Sequence, residues 1–322
     1  KSEGVMQFAY LDFVQPLLDY RKVSHKLKTW GMVYQRHRCG DGRIRSDFHL
    51  LGARTGRMSS SDPNVQNLPK RRDKELRSCF IAPDGYQILA ADYSQCELRI
   101  PGLMSGDKAI VSAFRDGVEL HKKIVALVTG RPIEQVSKEE RALGKALNFG
   151  LVYGGGAKGL RSYAKNNYGV DLTLEQARDY KEQFDEAYKQ LRFWQHLNYN
   201  KHREDGEFIT AGGRLCRFIN KHDCFTNSRN YPVQGAAADL QMLAIARVHE
   251  KLVGPGVHLV NFVHDELVLE VQEDRVDDTC TQLDQIMAEA FLDLFGRFPA
   301  AKGMTDKLVE VGRGPDYGST KG

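Results

Sequence analysis

The chain has 322 residues, 41% of them hydrophobic and 27% charged. That length suits two or three subdomains sharing cores, and the composition excludes disordered and collagen-like classes. The net charge of +4 is uneven, with 16 Lys+Arg against 8 Asp+Glu in residues 1–80 and 30 against 34 in the rest.

A basic first quarter on a mildly acidic body suits a polyanion lying along one region, although an uneven solvated surface has the same signature. No run approaches the roughly 18 apolar residues of a membrane span. The opening Lys1-Ser-Glu-Gly has no hydrophobic signal region, so the expected location is the cytoplasm, with no membrane partner. The six cysteines, Cys39, Cys79, Cys96, Cys216, Cys224 and Cys280, are scattered without a C-x-x-C pair. They read as free thiols, not as a disulfide framework or a zinc site.

In chain order, residues 8–30 predict a helix on the three-to-four spacing of Phe13, Leu17, Tyr20, Ser24 and Leu27. Its far end is cationic, and Pro16 marks a kink or a boundary. Residues 34–50 predict a hairpin around Gly40-Asp-Gly42. The stretch from Thr55-Gly-Arg57 through Asn64, Gln66 and Asn67 to Lys70-Arg71-Arg72 is too rich in turn formers for regular structure. Its Arg, Asn, Gln and Ser side chains could donate to phosphates and minor-groove acceptors, as could those of an ordinary polar loop.

Tyr86 to Ala91 read as a buried strand with Asp92 at its C-terminal end. Such an acid is either a helix N-cap or a metal ligand. Helices follow over 107–130 and 132–153, divided at Gly130-Arg-Pro132. In the second, Arg141, Lys145, Phe149 and Tyr153 recur every fourth residue and share one face. Two cations and two aromatics there could hold a polyphosphate and stack a base, or could line an ordinary amphipathic surface.

Gly154-Gly-Gly156-Ala-Lys-Gly159 matches G-x-G-x-x-G but follows a helix and lacks a βαβ context, so it ends the helix and binds no dinucleotide. Residues 173–203 predict one long helix with a core stripe of Leu174, Ala177, Tyr180, Phe184, Tyr188 and Leu191. Asn230 to Gln234 form a loop entering an Ala-rich helix, with two side-chain amides available to base edges. Val257 to Val271 read as strand, turn, strand with His264, Asp265 and Glu266 at the apex. A last strand and a short tail close the chain from Lys307.

Asp92-Tyr-Ser-Gln-Cys-Glu-Leu-Arg, the Arg141–Tyr153 helix and Val263-His-Asp-Glu266 resemble, in order and context, motifs A, B and C of family A DNA polymerases of the Klenow type. Thr55-Gly-Arg57-Met-Ser-Ser and Asn230-Tyr-Pro-Val-Gln234-Gly match two further blocks of that family, and the likeness runs from about residue 30 to the C-terminus.

The resemblance implies an α+β right-hand fold: the end of a thumb in 1–33, a palm in 34–106 carrying motif A, helical fingers in 107–213, and the rest of the palm in 214–322 carrying motif C. It implies dNTP addition to a primer 3′-hydroxyl with two Mg²⁺ ions, Mn²⁺ as a substitute, and primer-template DNA and dNTPs as partners. Asp92, Asp265 and the Tyr93 carbonyl would be metal ligands, with Glu266 a supporting acid. Arg141 and Lys145 would grip the triphosphate, and Lys145 would serve the leaving group. Phe149, Tyr153, Gln95 and His121 would line the dNTP site, although His121 could equally be a packing residue.

Glu97 matches the family's steric gate, which implies preference for dNTPs over rNTPs. Phe at position 149 implies poor acceptance of dideoxynucleotides. Arg57, Asn67, Asn230, Gln234 and His264 match positions that contact the duplex or primer end. Cys96, Pro101, Thr226 and the short stretch between Gly213 and Asn230 depart from the family pattern, and their compactness looks phage-like, which would place the protein in a host cytoplasm. Nuclease or helicase domains of the same parent chain are expected upstream. The competing readings are a palm polymerase acting on RNA templates or ribonucleotides, and a catalytically inactive primer-template binding module.

Overall fold

The computed structural model describes residues 8, 10–69, 75–217 and 224–320. Lys70, Arg71 and Arg72 of the polar loop lie outside the described residues.

The first helix among the described residues, α1 (Val14–Thr29), starts six residues later than the apolar spacing predicts. Pro16 is its third residue, inside the first turn, where backbone N–H groups have no intrahelical acceptor and a missing one costs little. Of the residues whose spacing predicts it, Tyr20 and Leu27 are exposed. After α2 (Met32–Arg36) the expected Gly40–Gly42 hairpin is a single turn closed by one bridge, Arg38 to Ile44. The chain instead pairs β1 (Asp47–His49) with β2 (Ser59–Ser61), so the polar loop contains a strand.

A short α3 (Glu75–Ser78) leads to β3 (Tyr86–Tyr93), which lies inside a four-stranded antiparallel sheet. Then come α4 (Cys96–Ser105), α5 (Lys108–Arg115) and α6 (Leu120–Thr129). The expected helix over 107–130 is therefore two, broken where Gly117 takes φ +65°. Asp107 caps α5 by accepting from the N–H groups of Ala109 and Ile110, each at 3.1 Å. Arg131 to Glu140 hold only a short 3-10 turn, so α7 (Arg141–Leu151) begins at the first residue of the cation-aromatic stripe and ends before Tyr153. Gly154, at φ +81°, turns the chain there as its position predicts.

α8 (Ala157–Tyr168), α9 (Leu174–Ala187) and α10 (Lys189–Asp205) complete the helical half. The single helix expected over 173–203 breaks at Tyr188, whose ring is buried against Phe184. A hairpin of β4 (Glu207–Ile209) and β5 (Leu215–Arg217) precedes α11 (Cys224–Lys251). Asn230 to Gln234 lie inside α11, not in a loop. Pro232 is carried in the helix because its neighbours Val233, Ala236, Ala237 and Leu240 are buried, and packing outweighs the lost hydrogen bond. β6 (Val257–Val263), β7 (Glu266–Gln272), α12 (Val276–Phe295) and β8 (Val309–Gly314) finish the chain.

The strand order is β6-β7-β3-β8. β7 is buried along six of its seven residues, four of them apolar and two the acids Glu266 and Glu270. On one face, Leu89, Ala91, Tyr93, Leu267 and Leu269 join a large core with α12, where the Tyr93 hydroxyl donates to the Met287 carbonyl at 2.9 Å. On the other, Ile88, Ala90 and Val268 meet Tyr34, Leu68 and Tyr317. Among the described residues no helix is long and apolar enough to cross a membrane.

Candidate functional site: a sheet end facing a helix

The ladder between β3 and β7 sets Asp92 opposite Glu266. One step further, the Tyr93 N–H donates to the Asp265 carbonyl at 3.2 Å, so the turn His264-Asp265 is fixed to the end of β3. His264 makes this tight turn with φ +58°. Asp92 is not the cap of the following helix: the N-cap of α4 is Gln95, in a left-handed conformation at φ 51°. The cap reading of Asp92 falls, and both aspartates stand at the same end of adjoining strands.

Glu266, expected at the apex, is instead the first residue of β7 and fully buried. The Tyr317 hydroxyl donates to it, and Arg77 Nη1 lies 3.5 Å from its Oε1. Arg77 also covers the Tyr317 ring at 4.4 Å and donates to the carbonyls of Leu68 and Pro69. Burial, then the Glu266 charge, pushes the Tyr317 hydroxyl well above its ordinary pKa. A buried carboxylate needs such partners. Nothing in the sequence marks Arg77 or Tyr317, because both meet Glu266 only through the fold.

The second half of the site is built on α7. Gly144, Leu147, Asn148 and Leu151 are buried on its inner side, while Arg141, Lys145 and Phe149 are half-buried on the other, so the stripe is real. The inner side approaches α6 at backbone distance: a Cβ on Gly144 would stand 1.9 Å from the His121 carbonyl oxygen. Asn148 meets His121 Nδ1 at 3.1 Å, and the His121 ring lies 5.4 Å from that of Phe149. His121 is thus a packed residue, 4% exposed, behind the aromatic it touches. At the start of α7, Arg141 Nε donates to Glu119, at the cap position of α6, a partner that sequence reasoning did not find.

The two halves are joined through Glu97. The Gln234 side-chain amide donates to Glu97 Oε1 at 3.1 Å and to the Tyr153 hydroxyl at 3.2 Å, and Arg57 Nη2 stands 3.6 Å from the same Glu97 oxygen. Burial, then Glu97, raises the Tyr153 pKa. The buried Cys96 thiol is likewise pushed up, first by burial and then by the charges of Asp265 and Glu97. Arg57 and His264 line one shallow pocket with Met58, Gln66, Gln241 and Phe262. Asn67 accepts from the Trp30 indole N–H at 3.1 Å, and Asn230 is half-buried on α11.

Among the described residues no group of three or more His, Cys, Asp or Glu is placed to hold a metal. Two carboxylates and the Tyr93 main-chain carbonyl are all oxygen donors. Such a set fits a hard divalent cation that takes the rest of its shell from phosphate and water.

A family model described as DNA polymerase family A matches residues 4–299. The chain belongs to the DNA polymerase A family. It is 36% identical over 272 residues to DNA polymerase I of Aquifex aeolicus, covering 84% of this chain and 46% of that protein. It is 31% identical over 324 residues to the thermostable DNA polymerase I of Thermus aquaticus, covering 96% and 36%. In structure it matches the POL domain of Pol1 from M. smegmatis, a complex with DNA primer-template and dNTP, with a TM-score of 0.85 and 28% identity over all of this chain and 56% of that one. The chain therefore spans less than half the length of these curated relatives. The α+β, right-hand polymerase fold implied by the five motifs is the fold of this family A chain. Family A DNA polymerases depend on divalent metal ions, which agrees with the oxygen donors at the sheet end.

Proposed function

We propose that this chain is a DNA-templated DNA polymerase that adds dNTPs to a primer 3′-hydroxyl, with primer-template DNA and dNTPs as its partners. The observation that carries the reading is the convergence of Asp92 and Asp265 at one sheet end with the Glu97–Gln234–Tyr153–Arg57 cluster. The M. smegmatis relative, a complex with primer-template and dNTP, supports the same partners. The sheet and its flanking segments, 34–106 and 214–322, would be the palm, 107–213 the fingers and 1–33 part of a thumb.

Asp92, Asp265 and the Tyr93 carbonyl would hold the metal. Two Mg²⁺ ions, or Mn²⁺ in their place, would activate the 3′-hydroxyl and neutralise charge on the triphosphate. Arg141 and Lys145 would bind the triphosphate oxygens through charge-assisted hydrogen bonds, Arg141 exchanging Glu119 for phosphate. Lys145 Nζ holds a proton that the departing pyrophosphate can take. Phe149 and Tyr153 would offer ring faces to the sugar and base, and Gln95 would line the same site. Glu97, held by Gln234 and Arg57, would stand where a 2′-hydroxyl has to fit and so exclude it. Arg57, Asn67, Asn230, Gln234 and His264 would contact the duplex through acceptors common to all base pairs. Glu266, inside its Arg77–Tyr317 pocket, would fix the start of β7 and with it the turn that carries Asp265.

Primer extension with Mg²⁺ tests the reading, run with dNTPs, with rNTPs and on an RNA template. Template-directed extension with dNTPs on DNA is expected. Ribonucleotide preference, or DNA binding without extension, would replace the reading with a ribonucleotide polymerase or an inactive binding module.

A further inference from the structure

Arg214 stands just before β5, and its guanidinium ties three segments together. Its Nε and Nη2 donate to Asp239 Oδ1 on α11 at 3.1 and 2.9 Å. Nη2 also donates to the main-chain carbonyls of Thr55 at 3.0 Å and Gly235 at 3.2 Å. Nη1 reaches Cys216 Sγ at 3.2 Å, and the Gly212 N–H satisfies the other Asp239 oxygen at 3.0 Å. Asp239 is 8% exposed, so this is a largely desolvated, hydrogen-bonded ion pair.

Space is reserved for the guanidinium. Gly56, at φ +83°, lies against it so closely that a Cβ would stand 2.0 Å from Nη1. The contacted backbone is adjacent to the site at both points. Thr55 and Gly56 immediately precede Arg57, and Gly235 immediately follows Gln234. Arg57 and Gln234 both meet Glu97 Oε1.

We propose that Arg214 is a positioning residue for sugar selection: by holding the main chain at Thr55 and Gly235 it sets Arg57 and Gln234 on Glu97, and thereby fixes the carboxylate against the 2′ position of the incoming nucleotide. This rests on the polymerase reading above. The guanidinium sets Nε and Nη2 side by side on Asp239 Oδ1 while Nη2 also reaches both carbonyls, a fixed two-nitrogen grip that the single rotating ammonium of lysine does not reproduce.

The test is single-nucleotide primer extension by the whole chain with Mg²⁺, comparing kcat/KM for a dNTP and the matching rNTP in the wild type, Arg214→Lys and Gly56→Ala. Arg214→Lys keeps a cation beside Asp239 but loses the carbonyl contacts. Gly56→Ala keeps every donor and pushes on the guanidinium. In each, the dNTP/rNTP ratio is expected to fall about tenfold, the size typical of losing an outer supporting contact, mostly because kcat/KM for the rNTP rises.

A purely structural role would lower both substrates in proportion and leave the ratio unchanged. An unchanged ratio in the folded variants overturns the proposal. Should Arg214→Lys fail to fold, Gly56→Ala decides by the same ratio. A wild type that does not extend DNA counts against the polymerase reading; a wild type that extends, with variants that keep its ratio, counts against Arg214 alone.

Discussion

The sheet end and the α7 face hold their charged groups by different means. At the sheet end, position comes from main-chain ladders: Asp92 opposes Glu266 in register, and the Asp265 carbonyl is held by the Tyr93 N–H. The residues beneath, Leu267, Leu269 and Tyr93, are buried. On α7, Arg141 is instead held by a side-chain pair with Glu119, both groups about one-third exposed. A ladder over a packed core cannot be exchanged, whereas a half-exposed ion pair contributes at most about 1 kcal/mol and can be traded for another anion. The rigid half thus suits groups that must keep a fixed spacing, and the exchangeable half suits groups that receive and release a charged ligand.

The largest expected effect breaks the rigid half chemically. Asp265→Asn should slow single-turnover primer extension by ~10³-fold or more, roughly 4 kcal/mol in the barrier, with the melting temperature little changed. Extension at the wild-type rate would sink the assignment of the sheet end. Next, Leu267→Ala removes a fully buried side chain from beneath the turn and should cost about 2–5 kcal/mol in urea unfolding. A loss under about 1 kcal/mol would mean that the core does not anchor this end. The smallest effect belongs to the exchangeable half. Glu119→Gln should change stability by less than about 1 kcal/mol while lowering KM for the dNTP, because Arg141 loses the carboxylate that competes with phosphate. A raised KM would show instead that Glu119 holds Arg141 in its working position.

Where short-range pattern decides structure, the sequence is legible. The apolar runs around Asp92 and on both sides of His264-Asp265 predict β3, β6 and β7, and the four-residue spacing predicts the α7 face. Helix ends read less well. The break at Gly117 has a local cause in Asp116-Gly117, but the break at Tyr188 has none, since a ring buried against Phe184 sets it. Asn230-Tyr-Pro reads as a loop because Pro232 is a poor helix residue, and only burial of the surrounding alanines makes it helical. The exposed Tyr20 and Leu27 of α1 show that apolar spacing predicts a helix but not what covers it. The partners that fix the site, Arg77 and Tyr317 on Glu266, Glu119 on Arg141 and Arg214 on Asp239, come from distant parts of the chain, where no periodicity reports on pairing.

The contact of Gly144 with the His121 carbonyl limits how this molecule can move. Two helices touching at main-chain distance have no layer of side chains to slide over, so α7 cannot shift along or away from α6 without losing that contact. Any closure of the cation-aromatic face toward the acids must carry α6, with Glu119 and His121, as one body. The bending then falls on the chain at either end of the pair, at Gly117 before α6 and Gly154 after α7, both already in the left-handed region.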